Sequence, residues 1–357
     1  MRRLNFTFTL LTLVSLACAA SGQIVIPPDV LKKMQEKKVE PKTPTSKPAG
    51  KKVDIQRLVI DFRRADSTAK REAAADKLLE LGPRGARILS GILAAELPRK
   101  TAKYKKAFYN QARSIGAGKY RATGARQIEK WRQQFKATGE ITKDSIKTHA
   151  GPAMDALYKA LVPTRTEVLE GGKTLTARRE ELISLDSIRA KCNSKTAAPS
   201  EFPQTLEQQE TLIALMCAPM SEANRKPIQT ALKQFNQLSF GEWEAFVHLN
   251  VIRVLLGLHP MQLDLRLAAA GRDHSKDMHE KKFFSHQSPV SGKKTPWNRA
   301  ARQGTKSNGE CIAAGMATGP GAIRAWFFSP GHHKIIMSGS RRVGIGKHAR
   351  KWTLMTG

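Results

Sequence analysis

Strand-like patterning in this chain is confined to its end, and that confinement sets the fold class. The segments RRVGIGKHA (341–349) and KWTLMTG (351–357) read as two short strands joined by a basic turn. From residue 55 to about 235 the apolar residues recur at helical spacing instead. Ser67 stands where it can cap a helix through AKREAAADKLLEL, Gly82-Pro83 stops that helix, and ARILSGILAAEL begins a second. Leu78, Leu79, Ile88, Leu89, Ile92 and Leu93 supply its apolar faces. The pair resembles one unit of a helical-hairpin repeat, but no second copy recurs at a fixed period, so a solenoid has no support. The expected class is α+β: an all-helical region at 55–235, then a mixed unit at 240–357.

Charge narrows the partners. Lys and Arg total 61 against 30 Asp and Glu, a formal charge of +31 on 357 residues. Such a surface attracts polyanions, whether nucleic acid, anionic lipid head groups or acidic envelope polymers. The first residues decide among these. Arg2 and Arg3 precede the apolar stretch Phe6 to Ala20, and small residues follow, with cleavage expected after Ala20 or Gly22. A charged start, a short apolar middle and a small-residue end make residues 1–22 a secretory signal. The stretch is shorter than the roughly 20 apolar residues of a spanning helix, and no later segment is long and apolar enough to span. Cys18 invites a lipoprotein reading, but Ser15 occupies the position where a lipobox carries Leu. The expected location is therefore secreted or envelope-associated, with anionic envelope polymers or lipids as partners.

Residues 23–54 are rich in Pro and Lys and read as an exposed, disordered linker. Residues 98–136 hold 12 basic residues and one acid, Glu129, with Tyr104, Phe108, Tyr109, Tyr120, Trp131 and Phe135 interleaved. Aromatics among cations suit stacking on single-stranded nucleic acid. They equally suit a helix packed on one face and solvated on the other, which is the preferred reading for an exported chain. After signal removal Cys192, Cys217 and Cys311 remain. Cys192 and Cys217 could close a loop worth roughly 3 kcal/mol; the alternative is three buried thiols.

The histidines point to the C-terminal third: eight of nine lie beyond residue 240. There the motifs run in order. Asn250 and Arg253 form N-x-x-R; His274-Ser275 and Asp277-Met278 close a helix; Phe283-Phe284-Ser285-His286 follows. Then come Gly309-Glu310, Trp326, Ser329-Pro330-Gly331-His332-His333, and VGIG with WT near the end. This order resembles the cysteine-rich secretory, antigen and pathogenesis-related family, the CAP or sperm-coating-protein domain, in its bacterial form. The likeness covers about residues 243–357 and says nothing of residues 23–235.

The resemblance implies a three-layer αβα sandwich whose cleft carries two His and, in many members, two Glu. By motif these are His286, Glu310 and His332. The stretch Trp326-Phe327-Phe328-Ser329 lacks the second acid, leaving Ser329 in the cleft, and Cys311 stands where Asn is usual. Two imidazoles with open positions could hold an exchangeable zinc or other divalent cation through His286 and His332. His274 is expected to be structural, His333 and His348 to lie at the surface, and Trp297 and Trp326 to anchor packing. Relatives are associated with lipid and sterol binding, so the expected function is a secreted binding module for a lipid, peptide or glycan. The alternative is a His/Glu-dependent hydrolase, but the chain has no G-x-S-x-G elbow and no H-E-x-x-H. A third reading is polyanion or nucleic-acid binding by residues 98–136.

Overall fold

The computed structural model describes residues 53–136, 142–193 and 200–357. The proposed signal and all but the last two residues of the linker lie outside them. Residues 55–357 form one compact unit.

Its first part is all helix. Helix α1 spans Ile55–Arg64 and α2 spans Thr68–Leu79, where the Ser67 hydroxyl accepts from Lys70 N at 3.3 Å. Gly82, at φ +66°, turns the chain, and Pro83 starts α3, Pro83–Thr123. At 41 residues α3 is about 60 Å long and continues past Pro98. The spacing that reads as one helix from Ala86 to Leu97 is only its first third. Next come α4 (Ala125–Lys136) and α5 (Lys143–Ser145), which passes through a wide turn at Ile146–Ala150 into α6 (Gly151–Leu161). Helices α7 (Arg165–Glu170), α8 (Lys173–Asn193), α9 (Phe202–Met216) and α10 (Glu222–Leu232) complete the region.

One core of this region gathers Phe62, Leu78, Leu93, Phe108, Val168, Leu185 and Leu206. Beside it α3, α7, α8 and α9 meet on a buried carboxylate. Glu210 accepts from Tyr104 Oη at 2.7 Å, Arg165 Nε at 2.7 Å and Arg179 Nε at 2.9 Å. A buried acid with two guanidinium partners is tolerable; an unpaired one would not be. Among the interleaved aromatics, Tyr104 and Phe108 are fully buried and only Tyr120 is exposed. Cys192, Cys217 and Cys311 are free thiols, so of the two readings left open for Cys192 and Cys217 the unlinked one holds. Cys217 instead donates to the Tyr109 carbonyl at 3.7 Å, and burial pushes its pKa up to about 12.

The C-terminal part begins with α11, Phe240–Leu255, closed by a capping box between Ser239 and Glu242. It continues through β1 (Gln262–Leu263), α12 (Leu265–Glu280), α13 (Pro296–Arg302), β2 (Gly309–Ala314), α14 (Gly319–Phe327), α15 (Pro330–Ile336), β3 (Arg342–His348) and β4 (Lys351–Thr356). The sheet order is β1-β3-β4-β2, with β1 and β3 parallel and the other pairs antiparallel. The two terminal segments are strands at the expected positions. The sheet also takes in Gly309–Ala314, whose four consecutive small or apolar positions, Cys311 to Ala314, hide a strand pattern.

Alternation along β3 separates the layers. Val343 and Ile345 join the main core with Trp352, Leu354, Phe246 and Ile323. The intervening Gly344 and Gly346 face α12, and a Cβ there would come within 2.0 Å of Ala268 N and 1.9 Å of Arg272 N. Helix backbone therefore lies directly on strand backbone, a position only glycine permits. Ser275 seals the contact by donating to the Gly346 carbonyl at 3.1 Å. With α12 and α13 on one face and α11, α14 and α15 on the other, the unit is a three-layer αβα sandwich.

The helical region and this sandwich share a core. Ile128, Ile146, Leu157, Leu161, Leu212 and Ile228 pack into the same cluster as Trp243, Phe246 and Trp326. The contact is also polar: Tyr158 Oη lies 2.8 Å from His248 Nδ1, Arg132 Nε donates to the Leu255 carbonyl at 2.7 Å, and Arg324 forks onto Asp155. No helix among the described residues is long and apolar enough to cross a membrane.

Candidate functional site

The cleft lies at the edge strand β2. Glu310 pairs directly across from Met355, so it shares the α12–α13 face of the sheet. Three elements bring their groups to it. His286 comes from the loop after α12, Glu310 from β2 and His332 from the first turn of α15. His286 Nδ1 lies 2.8 Å from Glu310 Oε1, and the His286 and His332 ring centroids are 6.3 Å apart. Residues separated by 46 positions thus meet where the motif order places them.

Each part is held from behind. Glu310 is buried, and its second oxygen takes the Arg299 Nη2 at 2.5 Å. The Arg299 side chain is wholly buried; it also donates to the carbonyls of Lys293 (2.8 Å) and His286 (3.1 Å). One guanidinium thus neutralises the acid and fastens the His286–Lys294 loop. A carboxylate can only accept, so His286 Nδ1 carries the proton, and a neutral His286 ring presents its Nε2 lone pair outward. The His286 side chain is 47% exposed, and among the described residues no hydrogen bond occupies Nε2. His332 is half-buried; burial first, and then the nearby His286, lower its pKa, so its ring is neutral at pH 7.

The N-x-x-R motif works at a distance. Asn250 exchanges hydrogen bonds with the Met261 backbone at 2.7 and 3.1 Å. Arg253 donates to the carbonyls of His259 (3.0 Å), Ile336 (2.6 Å) and Ser338 (3.0 Å), which fixes the C-terminal end of the helix bearing His332. Cys311 Sγ, on the opposite face of β2 from Glu310, donates to the His332 carbonyl at 3.8 Å. Ser329 caps α15 through its backbone, and its hydroxyl makes no hydrogen bond among the described residues. His274 is buried on α12, with Nε2 donating to the Ser285 carbonyl at 3.1 Å and Nδ1 unpartnered.

Three expectations need correction or addition. His333 is not at the surface: it is buried, its Nδ1 donates to the Phe327 carbonyl at 2.8 Å, and its ring lies 5.4 Å from that of Phe135. Trp297 is not a packing anchor but 61% exposed, because the short helix α13 turns Pro296, Arg299 and Ala300 inward. Trp326 is buried. Arg299 escaped the sequence reading, since nothing in TPWNRAAR marks one of its two arginines for burial beneath an acid.

The donor set does not fit a zinc ion held by the protein. Such an ion takes at least three protein ligands, and two imidazoles on one tetrahedral centre put their centroids about 5 Å apart. Here the rings are 6.3 Å apart, and both Glu310 oxygens are engaged. Among the described residues no three His, Cys, Asp or Glu side chains converge on a metal position.

The C-terminal third also matches known proteins in sequence. Residues 247–351 match the family model described as the cysteine-rich secretory protein family, CAP. The chain is 28% identical over 181 residues to the uncharacterized protein YkwD of Bacillus subtilis, a match covering 49% of this chain and 70% of the relative. It is 32% identical over 105 residues to the uncharacterized membrane protein YlbC of the same organism, covering 29% of this chain and 30% of the relative. Among solved structures it is similar to an extracellular protein containing a SCP domain from Bacillus anthracis, at 26% identity and a TM-score of 0.31. That likeness covers 41% of this chain and 49% of the other. Motif order, layered architecture and family match together place the C-terminal third of this chain in the CAP family, in its bacterial form.

Proposed function

We propose that this chain is an exported, envelope-facing binding protein whose CAP cleft recognises a hydrogen-bonding ligand, a lipid head group, peptide or glycan, through His286 and His332. One observation carries the reading: the negative charge of Glu310 is consumed by Arg299 and its other oxygen by His286. A carboxylate so paired orients an imidazole well and serves poorly as a general base. Nor is a nucleophile assembled. The Ser285 and Ser288 hydroxyls accept from the backbone two residues on, and neither they nor Ser329 bond to a cleft histidine among the described residues. What remains is an oriented imidazole facing solvent beside a neutral one, a pair able to accept and donate.

The exposed side chain of His286 suits contact with a segment of polymer or a head group on a surface. A cavity of about 730 Å³ lies elsewhere, between α3, α8 and α9, lined by Leu93, Leu97, Lys105 and Phe202 but by no cleft residue. The net charge, +31 on the whole chain and +29 once Arg2 and Arg3 leave with the signal, would hold the protein on an anionic envelope, with the cleft providing selectivity.

The test pairs two measurements on the full chain. Retention on cell-wall material and on anionic liposomes is followed as salt rises, for wild type and His332→Ala. Expected are salt-sensitive retention of both proteins and weaker selective binding by the variant. A parallel peptidase and esterase screen is expected to be blank. Turnover abolished by His332→Ala would replace binding with the hydrolase reading, and salt-indifferent retention would remove the electrostatic part.

A further inference from the structure

A second pair of histidines meets outside the cleft. His279 stands in the last turn of α12 and His348 at the end of β3, with ring centroids 5.3 Å apart and planes at 55°. Two imidazoles sharing one metal ion sit about 5 Å apart, so this pair is closer to chelating geometry than the cleft pair. We propose that His279 and His348 form a binding site for a divalent transition-metal ion, with Cu²⁺ bound tightest and water completing the coordination.

Four observations support the assignment. First, both rings are available. His248, His274, His286 and His333 each have a ring nitrogen tied in a hydrogen bond, whereas among the described residues His279 and His348 have none. Second, the spacing is set by rigid backbone. Helix α12 lies on β3 with no side-chain layer between: a Cβ on Gly346 would meet Arg272 N at 1.9 Å, and one on Gly271 would meet Thr353 O at 2.8 Å.

Third, both histidines stand at firmly ended elements. Lys282 (φ 56°) and Ala349 (φ 51°) are the non-glycine residues with positive φ among those described. Lys282 ends the chain's helical course three residues after His279, just past the α12 C-cap, and Ala349 makes the two-residue turn between β3 and β4 directly after His348.

Fourth, two of the hairpin's cations are drawn away. Lys351 Nζ sits over the Phe284 ring at 4.9 Å, and Lys347 Nζ donates to the Ala317 carbonyl at 3.2 Å. Lys281, Lys282 and Arg350 still flank the pair. Their charge weighs against hard cations bound by charge alone, while nitrogen donors favour copper in the first-row order. A bound ion would tie the end of α12 to the β3–β4 hairpin, seven residues before His286.

The experiment titrates metal-free full chain with Cu²⁺ against a chelator of known affinity, with electron paramagnetic resonance reporting nitrogen coordination. Wild type is expected to bind one ion at this site with two nitrogen ligands. His279→Ala and His348→Ala should each weaken binding about a hundredfold, the loss of a tethered second donor, while His286→Ala and His332→Ala leave it intact. Both substituted rings lie outside the core, and unchanged melting of the metal-free variants confirms folding. Absence of tight binding overturns the assignment, as does binding that survives both substitutions or that disappears with His332→Ala instead.

Discussion

Replacing Arg299 with alanine tests the cleft's construction most directly. The wild-type guanidinium has no solvent exposure, and its partner Glu310 is exposed by 1% at the side chain. Removing it strands a buried carboxylate and withdraws the donor from the carbonyls of His286, Lys293 and Lys294. Breaking a buried ion pair from one side costs about 3–5 kcal/mol, a large share of the roughly 5–15 kcal/mol that holds a domain folded. Arg299→Lys should fall between, since lysine returns the charge without the planar fork. Urea unfolding measures this through the midpoint, provided the slope is unchanged. The coupling is then isolated with Glu310→Gln and the double variant. The double variant should be less destabilised than the sum of the singles, because an unpaired partner causes most of the loss. A cost below about 1 kcal/mol for Arg299→Ala, or strict additivity, would refute the claim that this pair braces the cleft.

Three further outcomes follow from the packing. A fragment starting at residue 240 loses the helices that share its core, exposing Trp243, Phe246 and Trp326 neighbours; it should be insoluble or bind hydrophobic dyes, and a soluble fragment with sharp tertiary signals would contradict the shared core. Burial lowers the His248 pKa from 6.5 to about 4. The folded ring therefore stays neutral while the unfolded one protonates, so stability is full above pH 6.5 and falls as pH drops towards 4. The loss is on the order of 3 kcal/mol, and His248→Gln should flatten that slope in pH-dependent unfolding. Burial also raises the thiol pKa values of Cys192, Cys217 and Cys311. Alkylation followed by mass spectrometry should modify the half-buried Cys192 first and the buried Cys217 and Cys311 only in denaturant; protection persisting in denaturant until a reductant is added would show a disulfide instead.

Motifs whose function is local were readable in the chain. Ser67 and Gly82-Pro83 act within one turn, so their spacing is enough to place helix ends. The alternation Val343-Gly344-Ile345-Gly346 likewise announces a strand with one face closed to side chains. His286, Glu310 and His332 were placed by resemblance to a family. Their separation of up to 46 positions carries no signal of its own.

Long-range pairing was not readable, because which buried groups meet depends on how elements stack. The arginine in TPWNRAAR that lies under Glu310, the inward turn of His333 against Phe135, and the free state of Cys192 and Cys217 all depend on which groups the packed elements bring together. The sequence determined by itself the helical region, the terminal strands, the basic charge and the family of the last third. Tertiary structure alone decided that the helices and sandwich share one core, that Arg299 neutralises the cleft acid, and that His279 meets His348. Local backbone preference operates over a few residues, whereas burial and charge pairing are settled by whatever surface arrives from across the fold.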